Sequence, residues 1–506
     1  MTPVDIGADP NGQIVVGGNT SCPDLPTTIG VVQPMLVGGG DWFFVDLFAD
    51  GTLAWCTYYG GPGSQLGMRC LKVLDVALGS VLAVGLEGGF PFVPNAYSQA
   101  GGMVCAGIYA GNVVWASTAC GFSGTPTAVD VTSTGAICIT GTTVGTGSGL
   151  PTTGGSFQQF APPTSSVDGF VFTFMGIQNS LIFATYFGGS SNDQPRAIHA
   201  EPGPGTIVVT IAGNTSSSDL PMHNAIQPIK GAVQDGFVAK LDGLTQALVF
   251  STFVGGSDPG ESVSGVGVDG AGFTVVAGES SSPNLPFKNT LKFANGASSR
   301  NVMLYRLAPT GALDWCSMWG GNGSEVLVDL AVAGNGEIAV TGNVTATSFP
   351  STVNALPTSF ASQDVFLARL DPRSMESYGA GTPGFNNYVP VLAGGGPSAI
   401  GTTTFLQIYD GRALSVGVLG AGLGRISVPL WGGSLLVNPV VLQTIVLNGS
   451  TATGASTWGG GFLQTSFPIP NDPAAVGAIV DWQAALFDAA AFAGVALTNG
   501  VELVVQ

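Results

Sequence analysis

Histidine, charge and helical periodicity are all scarce in this chain, and each scarcity removes a class of function. His199 and His223 are the only histidines, too few for a zinc site or a relay of imidazole acids and bases. His199 lies in the strand-like run RAIHAE and His223 follows Leu220-Pro221; both read as structural or solvent-facing. No G-x-S-x-G elbow, P-loop, H-E-x-x-H or C-x-x-C occurs. Glycine-rich fragments such as GGNGSE (Gly320 to Glu325) lack the strand-then-helix setting of a phosphate cradle. The expectation is no enzyme: no catalytic, cofactor-binding or metal-ligating residue, and no cofactor.

Charged residues are 9% of the 506, with 31 acids against 13 bases and a net charge of −18. That sign repels phosphate backbones and anionic bilayers, so nucleic acid is excluded as a partner and membrane surfaces are disfavoured. No membrane insertion is expected either. The most apolar stretch, Ala474 to Leu497, contains Asp481 and Asp488, and an acid inside a bilayer is costly. The opening MTPVDIGADP has neither the basic nor the apolar region of a signal peptide, which leaves a cytosolic protein or a mature chain without its leader. Seven cysteines, at 22, 56, 70, 105, 120, 138 and 316, cannot all pair internally. Cys105 and Cys120 flank one predicted hairpin, where a bridge and buried thiols are the two alternatives.

What the chain does contain is repetition. Residues from Val4 to about Pro372 repeat a unit of about 65 residues six times. A β-rich run ends in a small-residue step: VVGGNT (Val15 to Thr20), ITGTT (Ile139 to Thr143), IAGNT (Ile211 to Thr215), VAGES (Val276 to Ser280) and VTGNV (Val340 to Val344). An apolar-Pro pair follows, at Pro26, Pro91, Pro151, Pro221, Pro286 and Pro350, with spacings of 65, 60, 70, 65 and 64 residues. Then Asp41, Asp168, Asp235, Asn301 or Asp364 opens an alternating strand, and a hairpin leads to an aromatic strand closed by Gly61, Gly189, Gly256 or Gly321. Such runs, bounded by Gly, Asp and Asn, predict four short antiparallel strands per unit. A unit this long suits a propeller blade rather than a solenoid coil.

The run ITGTTVGTGSGLPTTGGSFQQF, with DGFVFTF and SLIFATYFGG after it, resembles the bacterial β-propeller repeat called SBBP. The resemblance covers about 370 residues, is best from about 125 to 256 and weakest in the second unit, where Gly102-Met103 replaces the usual Asp and ACGF the Gly-Gly close. It implies a six-bladed propeller over 1–373 and an extracellular scaffold, and it carries no catalytic residues. Opening runs number six but full closing strands five, so something must fill the sixth blade's outer slot: Ser374 to Gly379, a strand upstream of Met1, or a strand from another molecule. Beyond it, 374–506 offers seven or eight short strands with frequent turn signals, which fits an antiparallel β-sandwich. Its Tyr378 to Gly384, Leu430 to Leu436 and Pro468 to Leu503 resemble a C-terminal domain of secreted planctomycete proteins.

The recurrent Asp41, Asp168, Asp235 and Asp364 could form a ring of ligands, but a carboxylate before a strand also serves its own turn by accepting backbone N–H bonds, and that is the reading adopted. Calcium at Ser257 to Glu261 lacks the dense acidic spacing of a strong site. Trp55, Tyr186, Phe253 and Trp315 read as core between blades rather than a sugar platform. The expected function is a non-catalytic structural or adhesive component of an extracellular or cell-surface assembly, forming a homo-oligomer or polymer, with other surface proteins or glycans as further partners. The alternatives are a glycan- or peptide-binding propeller and, behind it, a secreted lyase or glycosidase.

Overall fold

The computed structural model describes residues 1–506 apart from 10–11, 74–79, 87–102, 110, 120–123, 145–148, 163–166, 176–179, 204–205, 258, 289–291, 294–299, 322, 346–363, 371–374, 385–388, 396–399, 413, 448–459 and 506. Among the described residues it is all-β, with two short 3₁₀ turns and no α-helix. The chain divides into two compact units, Met1–Val254 and Gly255–Gln506.

The first unit holds four antiparallel sheets of four strands each. They are β1 (Thr2–Ala8), β2 (Ile14–Thr20), β3 (Asp41–Leu47) and β4 (Leu53–Tyr59); β5 (Met68–Val73), β6 (Ser80–Leu86), β7 (Met103–Tyr109) and β8 (Asn112–Ala119); β9 (Gly124–Val131), β10 (Ala136–Val144), β11 (Val167–Met175) and β12 (Ser180–Phe187); and β13 (Asp193–Gly203), β14 (Thr206–Thr215), β15 (Asp235–Asp242) and β16 (Ala247–Val254). Each is a simple meander in sequence order. The second sheet completes its four strands even though Met103, not an acid, opens β7.

In the second unit, β17 (Ser262–Val268), β18 (Thr274–Ser280), β20 (Asn301–Leu307) and β21 (Leu313–Trp319) form the fifth sheet, with the short β19 (Lys292–Phe293) pairing in parallel with β21. The sixth sheet has three described strands, β22 (Glu325–Val332), β23 (Ile338–Val344) and β24 (Asp364–Leu370). The closing strands expected from the sequence are thus β4, β8, β12, β16 and β21. Phe90-Pro91, Phe349-Pro350 and all of ACGF but Ala119 lie outside the described residues.

One device recurs in all six sheets. The first strand carries a β-bulge, and a glycine of the second strand faces it: Pro3 pairs with Gly18, Met68 with Gly85, Pro126 with Gly141, Pro195 with Gly213, Val263 with Gly278 and Leu327 with Gly342. A bulge bends its strand and turns a carbonyl toward the partner. A Cβ on any of these six glycines would overlap that carbonyl. The small-residue step of the repeat is therefore a steric requirement of the bulge, independent of any αL backbone.

Packing between sheets follows from the alternation. First strands lie side by side, β1 against β5, β5 against β9 and β9 against β13 in the first unit, and β17 against β22 in the second. Third-strand residues pointing onward enter the next sheet's core. Phe44 joins Met68, Leu71 and Val81, while Val171 joins Ile198, Val209 and Ile211. Leu304 joins Leu327, Ile338 and Val340. Rings stack across such a boundary at Phe187 and Phe237, 5.4 Å apart. Each such buried side chain contributes about 2 to 3 kcal/mol.

After Leu370 the pairing changes partners. β25 (Met375–Tyr378), β33 (Gly500–Val504), β31 (Ile479–Phe487), β28 (Val416–Leu430) and β29 (Gly433–Val446) make one sheet in that order, with β32 (Val495–Leu497) on β31. β26 (Val391–Gly395), β27 (Thr403–Arg412) and β30 (Gly460–Pro468) make another. Leu392, Leu406 and Ile408 of the second meet Leu419, Ile445, Trp482 and Leu503 of the first in one core. The segment expected to fill the sixth sheet's slot is thereby corrected: Met375–Tyr378 pairs with β33, from Met375 opposite Leu503 to Tyr378 opposite Gly500. Tyr378 fixes that choice, because its ring covers Gly500, its hydroxyl donates to Leu436 O at 3.3 Å and the Arg425 guanidinium stacks 4.2 Å from its centre.

Candidate functional site

Where one sheet hands over to the next, the chain passes through the Gly-Gly close and buries polar groups. In the first sheet Gly60 N–H donates to Gln33 Oε1 at 2.9 Å and Gly61 N–H to Gln65 Oε1 at 3.0 Å. In the third, Gly188 N–H donates to Gln158 Oε1 at 3.1 Å and Gly189 N–H to Asp193 Oδ2 at 2.6 Å. In the second unit Gly256 N–H donates to Glu261 Oε1 at 2.6 Å. Gln65, Asp193, Glu261 and Glu325 form a series that sequence reasoning missed. Its signal was available: an amide or acid four or five residues after each Gly-Gly, hidden by loops of unequal length.

The opening acids meet this series unequally. Asp41 Oδ2 accepts from Gln33 Nε2 at 2.6 Å and Val37 N–H at 2.8 Å, and Asp235 accepts from Gly231 and Ala232 N–H at 2.7 and 3.0 Å. Those two do serve their own turns. Asp168 is fully buried, and among the described residues neither carboxyl oxygen meets a donor; the turn before it, 163–166, lies outside them. Its neighbour Asp193 is saturated, taking the Thr215 hydroxyl at 2.5 Å and the Ser217 hydroxyl at 2.8 Å besides Gly189.

A Cβ on Gly188 would lie 2.8 Å from Asp168 Oδ1 and 3.1 Å from Asp193 Oδ2, so the two carboxyls close on one point. Burial and then the Asp193 charge push Asp168 up to about 7. Burial pushes Asp193 up as well, against the pull of its three donors, Thr215, Gly189 and Ser217. Burial pushes Glu325 to about 7 as well, opposed by the Gly321 N–H. Asp364 opens β24.

A second polar cluster lies across neighbouring first strands. Lys72 Nζ is 2.7 Å from Asp130 Oδ1, His199 Nδ1 is 3.4 Å from Asp130 Oδ2, and Ala200 N–H donates to that oxygen at 2.9 Å. Lys240 Nζ meets Glu201 Oε1 at 2.5 Å. Burial lowers the His199 pKa against the pull of Asp130 and Glu201. No Ser, Thr or Cys nucleophile is hydrogen-bonded to His199 among the described contacts. His223 is exposed, and its backbone exchanges bonds with Ser251.

Other sequence candidates fall elsewhere. Trp55, Tyr186, Phe253 and Trp315 all sit in cores between sheets. Glu261 Oε1 accepts from the Ser280 and Ser282 hydroxyls at 2.8 and 2.5 Å, and Asp258 lies outside the described residues. Among the described residues no cluster of three or more His, Cys, Asp or Glu could hold a metal, and no helix is long and apolar enough to cross a membrane. Cys120 is outside the described residues, so its bridge to Cys105 is too. Cys56, Cys70 and Cys138 are buried thiols, Cys138 pushed by burial to about 12. A cleft of ≈ 430 Å³ in the second unit is lined by Thr382, Pro383, Gly384, Gly432, Ala490 and Phe492, none of them ionisable.

No protein-family model matches the chain, and no curated protein does. Among solved structures it is similar to two crystal forms of Pyrococcus horikoshii acylaminoacyl peptidase, orthorhombic and uncomplexed, at 6% and 8% identity and a TM-score of 0.30. A third, an acylaminoacyl peptidase in complex with Z-Gly-Gly-Phe-chloromethyl ketone, gives 6% and 0.28. The alignments cover 81–82% of this chain and 59% of those chains. At such scores the likeness bears on neither fold nor activity.

Proposed function

We propose that this chain is a non-catalytic structural or adhesive component of an extracellular or cell-surface assembly that associates with itself. Its six repeat sheets are the blades of a β-propeller and its two C-terminal sheets a β-sandwich. The observation that carries the role is the use made of buried acids. Asp41, Asp130, Asp193, Asp235, Glu261 and Glu279 all accept bonds from the protein's own amides, hydroxyls or cations. These acids join strands and sheets, and the facing pair, Asp168 and Asp193, is buried rather than set across a substrate cleft, as a lyase or glycosidase requires.

Support for the propeller comes from the shared meander, the bulge and the side-by-side first strands. A closed ring covers the outer face of the sixth sheet, where Val365 and Leu367 are 74% and 80% exposed; their burial is the ring's own test. Support for association comes from apolar side chains at the surface of a chain with little charge, along β29. Sedimentation velocity of the intact chain from low to high micromolar concentration is expected to show assembly. A monomer throughout that range overturns the proposal.

A further inference from the structure

We propose that β29 is a self-pairing edge, joining two copies of this chain antiparallel about a two-fold axis at Thr444; this deepens the assembly reading above and rests on it. β29 is the outermost described strand of its sheet, and residues 438–444 are exposed on both faces. Val441 and Leu442 are 61% and 66% exposed. A long, flat, apolar edge is a template for strand addition unless a charge, proline or bulge blunts it. From 441 to 446 the strand has none of these, and its pairing with β28 is uninterrupted from Val441 opposite Ala421 to Val446 opposite Val416.

The hydrogen-bonding parity fixes which groups face outward. Leu447 N–H donates to Ser415 O at 2.9 Å. Antiparallel bonds alternate along a strand, so Ile445, Gln443 and Val441 also bond toward β28. Leu442, Thr444 and Val446 then present N–H and C=O outward. Two identical strands related by a two-fold at Thr444 place Leu442 opposite Val446, Thr444 opposite Thr444, and Val446 opposite Leu442. All three are outward positions on both copies, so every exposed donor between 442 and 446 meets an acceptor. The side chains agree, since aliphatic Leu442 meets aliphatic Val446 and the two Thr444 hydroxyls lie together.

Charge selects the partner. No Asp, Glu, Lys or Arg occurs from residue 426 to 471, in a chain with a net charge of −18. Two copies repel over most of their surface but not at this edge. A strand with no charge offers nothing to recruit a charged stranger, whereas a symmetric contact needs only the strand itself.

The test is Thr444→Cys in the full chain, exposed to mild oxidation. The paired Cα atoms are expected to be about 5.5 Å apart, within disulfide reach. The variant should give a cross-linked dimer well above wild type, and more than Leu442→Cys, Gln443→Cys, Ile445→Cys or Val446→Cys. Thr444→Lys, which sets two ammonium groups face to face on an exposed strand, should weaken self-association at least tenfold, and Thr444→Val should not. If the native chain assembles while Thr444→Cys fails to cross-link and Thr444→Lys leaves association unchanged, the edge is wrong and the assembly reading stands. A maximum at another position of the scan overturns the axis. A native chain that stays monomeric removes both.

Discussion

The fifth and sixth sheets are written in nearly the same words and are buried to very different extents. Asn301 opens VMLYRL in β20 and Asp364 opens VFLARL in β24. Every residue of β20 is buried, with Val302 at 0% and Leu304 at 1% exposure, whereas their counterparts Val365 and Leu367 stand at 74% and 80%. The difference lies outside the strands. β21 flanks β20 and the sixth sheet packs on its onward face, while β24 is the outermost described strand of its sheet. Alternation in a sequence says that a strand has two faces; what covers each face belongs to the array.

The largest effect should come where the two sheets are alike. Gly278→Ala and Gly342→Ala both drive a methyl into the carbonyl of a bulge, and each is expected to cost at least about 3 kcal/mol in urea unfolding. Gly154→Ala, with open space around it, should stay within about 0.5 kcal/mol. Unequal costs at 278 and 342 would break the equivalence of the two sheets. Next, Leu304→Ala should cost about 3 kcal/mol as a core truncation, and in a closed ring Leu367→Ala should cost about 2 kcal/mol; a value within about 0.5 for Leu367 rules out closure over that face.

A smaller loss, about 1 to 2 kcal/mol, is expected for Ser282→Ala, which takes a hydroxyl donor from buried Glu261. Least is the pH term at the join of the two sheets. Glu325 holds its proton up to about 7 in the folded chain, against an ordinary carboxyl near 4.5. The folded state therefore binds more protons between those values. This contribution is present below about pH 4.5 and is lost as pH rises through 7. Glu325→Gln should flatten that slope and raise stability at pH 8 by about 1 kcal/mol. A urea midpoint at pH 8 that falls instead would show that the charged carboxylate has partners that favour it.

Much of the strand plan was legible before any coordinates. The proline spacing marked the units, the Gly-Gly runs marked the closing strands, and the Asp or Asn openers mark third strands in five sheets. The bulge was not legible, because its position holds Pro in three sheets (Pro3, Pro126, Pro195) and Met68, Val263 or Leu327 in the others, and only the glycine partner recurs in all six. Nor was the carboxyl pair at Asp168 and Asp193, since its members come from different sheets and nothing in DGFVFTF marks this acid as meeting a second carboxyl. Ser374 to Gly379 stood as one of three candidates for the sixth sheet's slot, because so short a run carries a strand signal but not an address. That address was set by Gly500, 122 positions beyond Tyr378.

The bulge and its glycine have a bearing on how such a chain can grow. Their separations are 15, 17, 15, 18, 15 and 15 residues, from Pro3 to Gly18 through Leu327 to Gly342. Both halves of the fit lie on one hairpin, so a duplication that copies a whole unit copies lock and key together. An exchange that cuts inside the hairpin still joins a bulged strand to a glycine-bearing one, because four of the six units share the same separation. A unit copied whole thus carries its own register, and the break falls most safely outside the hairpin in the two units whose separations are 17 and 18.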